Sequence, residues 1–165
     1  MTAKSNPGRS APSRRTAPPR HPQFVLDRHL FYLFGQALGR RDKSLAKALA
    51  PFDTTVPRWR ILGALHSNRG CSLTRLAELT AVDRTTAMRT VESMRRDGLV
   101  VRDSDPQDKR SSVVALSSKG DKLFERIYPV VFEHNRRAVK GLKTGEVEHF
   151  RRTLRQIIAN LSSTD

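Results

Sequence analysis

The chain has 165 residues, the size of one domain or of two small lobes sharing a core, and is too short for most multidomain enzymes. It contains 31 Lys and Arg against 16 Asp and Glu, so its formal charge is +15 and its pI is about 11.3. Such an excess of positive charge predicts polyanionic partners. It differs from the near-neutral net charge of an ordinary cytosolic enzyme.

The sequence also argues against metal, membrane and catalytic functions. Cys71 is the only cysteine, and with the five scattered histidines it gives no zinc-ligand spacing, so neither a metal nor another cofactor is expected. No apolar run is long enough for a membrane span or a signal peptide, which predicts a cytoplasmic protein without membrane association. No nucleophile and base share a workable spacing, so an enzyme is not expected.

Residues 1–22 differ in composition from the rest of the chain. They hold five of the nine prolines and five basic residues without an acidic one, which predicts a disordered basic arm. Residues 23–165 still carry a formal charge of +10, so the folded part is itself basic.

Apolar residues recur with helical spacing in two segments after the arm. Residues 26–50 predict a long first helix. Val56 and Pro57 open a second helix, which carries Trp59 and ends near residues 68–70.

The next segment is typical of a helix-turn-helix motif. Ser72 caps a short helix, and Asp83 caps another that runs to Arg96. Residues 99–103 and 112–116 then alternate with period two, which predicts a hairpin with a charged loop.

The end of the chain returns to helical spacing. Ser117 or Ser118 caps a helix that is interrupted or kinked at Pro129, and Thr144 caps the last helix. The predicted fold class is therefore mainly α with a small β-hairpin (α+β).

The helix after Asp83 has one apolar stripe and one polar face, and a helix of this width fits the major groove of DNA. The residues expected to read base edges are Thr85, Thr86 and Arg89. Those expected to bind phosphates are Arg84, Arg95 and Arg96. Glu92 would face the phosphates, and we expect Arg89 or Arg96 to neutralise it. An ordinary solvated helix face is the alternative.

The hairpin loop supplies a second predicted DNA contact. Lys109 and Arg110 project from a tight turn, where an arginine can enter the minor groove, and Asp108 is expected to position Arg110. The alternative is a turn that serves solubility alone.

Residues 72–120 resemble the MarR-type winged helix-turn-helix regulators. The similarity rests on VDRTT at 82–86, DPQDKRS at 105–111 and VALSSKG at 114–120, and the hairpin segment is its most specific part. It extends over about residues 26–162. Arg75 departs from an acidic residue of the family pattern, and Thr80 departs from an aliphatic one.

The resemblance implies a homodimer that binds an inverted repeat in double-stranded DNA. Its domains would be a dimerisation helix with its loop at 23–55, a winged helix-turn-helix lobe at 56–118 and dimerisation helices at 119–165. The wide apolar stripes of the terminal helices agree, because one small lobe does not need them to cover its core.

The family also implies a repressor that a small ligand, often phenolic or another aromatic acid, releases from DNA. The residues expected to line the ligand cleft are His29, Phe31, Phe34, Arg58, Trp59 and Arg60. Packing in the core is the alternative role for the aromatic residues among them.

Two further interpretations stay open. Cys71 is more typical of a small buried residue than of an oxidant sensor. The whole protein could instead be a basic winged-helix module that binds nucleic acid without sequence preference, as an architectural or RNA-binding protein.

Overall fold

The computed structural model describes residues 25–104 and 112–163, so the predicted arm and hairpin loop lie outside the described residues. The chain divides into two compact units, Met1–Ala37 and Leu38–Asp165. Within the described ranges, no helix combines the length and the apolar character that crossing a bilayer requires.

Helix α1 (Leu30–Leu49) begins later than predicted. A 3-10 turn at Leu26–Arg28 precedes it, and His29 between them is extended, with φ −78° and ψ 115°. The extended backbone of His29 therefore separates the 3-10 turn from α1, and the prediction of one helix over 26–50 is wrong in its first turn. A second 3-10 turn, Ala50–Phe52, follows the helix.

Helix α2 (Val56–Asn68) confirms the second predicted helix. The Thr55 hydroxyl accepts a hydrogen bond from the backbone N–H of Arg58, and Pro57 lies in the first turn, where its missing N–H costs nothing. The C-cap of the helix is Arg69, whose backbone is left-handed with φ 45°.

The helix-turn-helix is also confirmed. It consists of α3 (Leu73–Thr80) and α4 (Arg84–Arg96), and its caps are the predicted Ser72 and Asp83. The Ser72 hydroxyl accepts from the backbone N–H of Arg75 at 3.2 Å. Thr80 is buried, and its hydroxyl donates to the carbonyl of Leu76 at 2.7 Å, which explains how this position accepts a polar residue.

Three short strands form an antiparallel sheet in the order β1-β3-β2. The two hairpin strands, β2 (Val100–Ser104) and β3 (Ser112–Leu116), were predicted from their alternation, with β2 starting one residue later. Strand β1 (Cys71–Ser72) was not predicted, because two residues carry no periodicity.

Two helices complete the chain. Helix α5 (Ser118–Ala138) has Ser117 as its cap and continues through Pro129, so the predicted interruption is absent. Helix α6 (Thr144–Ser162) has Lys143 as its N-cap rather than Thr144, because Glu146 reaches back and accepts a hydrogen bond from the Lys143 N–H at 2.7 Å.

The core of the second unit joins the end of α1, α2, the helix-turn-helix, the sheet and α5. Its largest fully buried side chains are Leu45, Leu49, Ile61, Leu62, Leu65, Leu76, Met94, Val114 and Ile127. Helix α6, described over its full length, buries no residue.

Gly120 fixes the approach of α5 to the sheet. A Cβ atom at this position would lie 2.1 Å from the Leu99 carbonyl oxygen, far inside contact distance. The same junction is held by the Ser117 hydroxyl, which donates to the carbonyl of Gly98 at 2.6 Å. These two contacts hold the segment that follows α4 against the start of α5.

Candidate nucleic-acid interface

Helix α4 has one buried face and one exposed face. Ala87, Val91 and Met94 are buried against the core. The side chains exposed on the other face are Arg84, Thr85, Met88, Arg89, Glu92, Arg95 and Arg96. Five of the six α4 residues predicted to bind DNA are therefore on the exposed face, and Thr86 is half-buried at its edge.

The start of α4 is fixed by Asp83. One carboxylate oxygen accepts from the backbone N–H of Thr86 at 2.9 Å, and the other accepts from the Thr86 hydroxyl at 2.6 Å. These bonds, led by the one from the hydroxyl, hold the pKa of Asp83 below its usual value. The Thr86 hydroxyl proton is therefore engaged in the cap, and its oxygen is left to accept.

Glu92 is paired with Arg95. Its carboxylate accepts from Nε of Arg95 at 3.0 Å and from Nη2 at 2.9 Å, a two-bond pairing on the exposed face. The pKa of Glu92 is lowered, chiefly by this hydrogen bonding, and that of Arg95 is raised. The prediction that Arg89 or Arg96 is the partner is wrong.

The other three arginines of this face are outside the ion pairs of the described residues. Arg84, Arg89 and Arg96 form no ion pair with any carboxylate in residues 25–104 and 112–163. The exposed face therefore carries three available guanidinium groups beside one neutralised pair. Such a surface attracts a polyanion.

Two residues of this surface were missed by sequence reasoning. Met88 is 51% exposed and lies one turn after Arg84 and Thr85. Arg102 on β2 lines a cleft of about 380 Å³ together with Met88, Arg89 and Arg96. Its Nε donates to the Ser112 hydroxyl at 2.8 Å across the hairpin. The alternation of β2 could not have identified Arg102, because residues two apart share a face and Val100 is buried.

The predicted wing-tip residues Asp108, Lys109 and Arg110 lie outside the described residues. Strands β2 and β3 pair from Val100 with Leu116 to Ser104 with Ser112, and the segment 105–111 connects them.

The residues predicted to bind a ligand fall into separate contacts. In the first unit, Phe31 and Phe34 meet edge to face with ring centroids 5.8 Å apart, and His29 ends the first 3-10 turn. In the second unit, Trp59 stacks on Phe124 at 5.3 Å.

The two arginines of α2 that were predicted to line the ligand cleft already have carboxylate partners. Arg60 pairs with Asp42 at 2.7 Å, and Arg58 pairs with Asp97. An anion that binds either guanidinium must therefore compete with an internal carboxylate.

Cys71 is half-buried on β1, beside the core. Burial raises the pKa of its thiol, and the charge of Arg75 opposes this only in part. A raised pKa lowers the thiolate fraction at neutral pH, which agrees with a packing role.

The helix-turn-helix with its two-stranded hairpin defines a winged helix-turn-helix protein. Residues 52–111 match the model of the MarR family. The chain is 28% identical over 162 residues to the HTH-type transcriptional repressor IacR of Pseudomonas putida, covering 98% of this chain and 96% of that one.

Solved structures show the same fold. A MarR-family regulator from Silicibacter pomeroyi superimposes with a TM-score of 0.76 at 27% identity, over 86% of this chain and 96% of that one. BpsR of Bordetella bronchiseptica, whose DNA binding is regulated by 6-hydroxynicotinic acid, superimposes with a TM-score of 0.74 at 23% identity, over 81% of this chain and 96% of that one.

The resemblance to the MarR family of transcriptional regulators, which the motifs predicted, is confirmed by these matches in sequence and structure. These relatives are DNA-binding regulators and not enzymes, which confirms the predicted class.

Proposed function

We propose that the chain is a homodimeric, sequence-specific repressor that binds an inverted repeat in double-stranded DNA and is released by a small aromatic acid. The observation that carries this proposal is the exposed face of α4, where Arg84, Arg89 and Arg96 form no ion pair with a carboxylate of the described residues. Such a face on the second helix of a helix-turn-helix suits entry into the major groove.

Each residue keeps its predicted role in this proposal. Thr85 and Arg89 read base edges, and Thr86 contributes its hydroxyl oxygen and methyl group. Arg84 and Arg96 bind phosphates, and Arg95 does so at a reduced net charge because Glu92 accompanies it. Lys109 and Arg110 contact DNA from the hairpin loop, where Arg110, positioned by Asp108, enters the minor groove.

Dimerisation is supported by apolar residues that the chain leaves in solvent. Phe132 on α5 is 58% exposed and Ile158 on α6 is 62% exposed, and Tyr128 and Leu161 are also exposed. A second copy of the chain would cover these side chains around a two-fold axis. The two recognition helices would then meet half-sites whose centres are about one helical turn apart.

Repression and release by a ligand are the finer part of the proposal. IacR, which aligns over nearly the whole chain, is a repressor, and BpsR is a protein of the same fold that responds to an aromatic acid. His29, Phe31, Phe34, Arg58, Trp59 and Arg60 remain the residues predicted to bind the effector. Because a regulator acts where the chromosome lies, a cytoplasmic location belongs to the same proposal.

The test uses fragments of the genome that encodes the chain. Fragments retained by the purified protein in excess competitor DNA are sequenced, and two small aromatic acids, 6-hydroxynicotinic acid and benzoate, are then tried for release. We expect retained fragments to share an inverted repeat and at least one acid to release them. Retention without a shared sequence would favour the architectural or RNA-binding alternative.

A further inference from the structure

Met88 is an apolar side chain on the exposed face of α4. It is 51% exposed, whereas the other apolar residues of this helix, Ala87, Val91 and Met94, are buried in the core. Helix α4 is described over its full length, and Met88 is its one exposed large hydrophobic residue. A single exposed apolar residue is ordinary on a protein surface, so its meaning depends on its neighbours.

The neighbours of Met88 on this face are residues proposed to approach DNA. On a helix with about 3.6 residues per turn, Met88 lies about 40° around the axis from Arg84 and from Glu92, and about 60° from Thr85. It is therefore near the middle of the exposed face, whose two edges are Arg84 and Arg89. A polyanion that the arginines of this face attract would cover Met88 as well.

The side chain of Met88 also borders open space. It lines the cleft of about 380 Å³ between α4, the start of α3 and the sheet, in which the other apolar residues are Leu73, Val91 and Val114. Methionine has an unbranched, flexible side chain, and the open space leaves it several rotamers. Met88 can therefore adjust its position to a partner that approaches α4.

Cations lie around the same cleft. Arg89, Arg96 and Arg102 line it, and the Nε of Arg102 donates to the Ser112 hydroxyl at 2.8 Å, which orients its guanidinium. Guanidinium groups around an apolar side chain suit a partner that carries phosphates beside an apolar group. Double-stranded DNA has both, with the apolar group at a base edge.

The major groove offers Met88 one kind of apolar partner. The C5 methyl of thymine is the apolar group by which base pairs differ there, and the other groups are hydrogen-bond donors or acceptors. The thioether of methionine donates no hydrogen bond and accepts only weakly. Contact between Met88 and the methyl removes apolar surface of both groups from water, which favours thymine over a pyrimidine without the methyl.

We propose that Met88 is a specificity-determining residue that contacts the C5 methyl of one thymine in each half-site. The inference rests on the proposed function, because it requires that α4 enter the major groove. It adds to that function a base whose preference comes from an apolar contact and not from a hydrogen bond. The methyl groups of Thr85 and Thr86 compete for the same contact, and variants at Met88 separate them.

The experiment uses the inverted repeat selected from random duplex DNA, with its thymines replaced one at a time by deoxyuridine. This replacement deletes the C5 methyl and keeps every hydrogen-bonding group of the base. For the full chain we expect one symmetry-related pair of thymines to matter. Replacement of one member should weaken binding about fourfold, the worth of one buried methyl group, and replacement of both should weaken it about tenfold or more. Fluorescence anisotropy at fixed salt measures the affinities.

Variants of Met88 assign the contact. Met88→Ala should bind the thymine site more weakly, and its affinity should no longer change when deoxyuridine replaces that thymine. Met88→Leu keeps an apolar side chain and should keep most of the sensitivity. The matched control is Leu79→Ala, which removes an apolar side chain that is 37% exposed on α3, and it should stay as sensitive as the wild type. Unfolding curves show whether each variant folds, and Met88→Gln, which keeps the side-chain length, replaces Met88→Ala if that variant does not.

Two results would overturn the inference while the proposed function stands. One is a specific site at which no deoxyuridine replacement weakens binding. The other is a loss that stays the same in Met88→Ala, which would assign the methyl contact to another side chain such as Thr85 or Thr86. Retention of DNA without any shared sequence is a different result, because it would contradict the proposed function and the inference together.

Discussion

The carboxylate of Glu92 and the guanidinium of Arg95 are joined by two hydrogen bonds, of 3.0 and 2.9 Å, on the exposed face of α4. The pairing neutralises the one carboxylate of α4, which would otherwise face DNA phosphates. It also engages an arginine that was expected to bind phosphate. The charge that the exposed face of α4 presents to DNA is therefore set in part by an ion pair within the helix.

Glu92→Gln should strengthen DNA binding. The substitution removes a negative charge and frees Arg95, so the slope of log K against log salt should steepen by about 0.9 per half-site. Filter binding over a series of salt concentrations measures this slope. Glu125→Gln on α5 makes the same charge change and is the control. An equal effect of Glu125→Gln would show that the net charge of the chain, and not the position of Glu92 on α4, explains the result.

Arg89 and Arg96 should differ in what their loss does. Arg89→Ala is expected to cost about 1 to 3 kcal/mol on the preferred site and to relax the preference at one position per half-site. Arg96→Ala should weaken all sequences about equally, because it contacts phosphate. Competition binding with single-position site variants separates the two. Equal losses on preferred and random DNA for both variants would contradict the role given to Arg89.

Asp83 should contribute a pH dependence to stability. Its pKa is lower in the folded chain than in the unfolded one, so the stabilisation is complete above the unfolded value, about pH 4, and disappears as the pH falls through the folded value. The melting temperature of Asp83→Asn should therefore fall less on acidification than that of the wild type, because asparagine keeps an acceptor but does not titrate. Asp103→Asn is the control and should follow the wild type.

Gly120→Ala should destabilise the fold strongly. The added methyl would lie 2.1 Å from the Leu99 carbonyl oxygen, and backbone cannot move aside cheaply. We expect a loss of about 3 kcal/mol or more in the free energy of unfolding. Gly63→Ala in α2 meets no atom within 4 Å and should gain about 0.5 to 1 kcal/mol. Urea unfolding measures both, and unchanged stability of Gly120→Ala would contradict this packing.

The sequence predicted the elements whose signals are local. The caps Ser72, Asp83 and Ser117 each accept from an N–H three residues later, so cap and partner lie in the same short segment. The N-cap of α6 is Lys143 and not the predicted Thr144, and the cause is again local. There the Glu146 side chain accepts from the backbone N–H of Lys143.

Features that depend on the assembled chain were not predicted. Strand β1 exists because Cys71 pairs with Val114, a residue distant in sequence. The partner of Glu92 depends on side-chain rotamers, since Arg89, Arg95 and Arg96 all lie within one turn of it. The ion pair between Arg58 and Asp97 joins residues 39 positions apart, and no spacing in the sequence identifies such a pair.

Selection from a random duplex DNA pool tests the central claim most directly. The purified chain is mixed with the pool and excess nonspecific competitor near physiological salt, and the retained DNA is sequenced. The account predicts an enriched inverted repeat with half-site centres about one helical turn apart. Retention of DNA without any enriched sequence, with binding that collapses as the salt concentration rises, would contradict it.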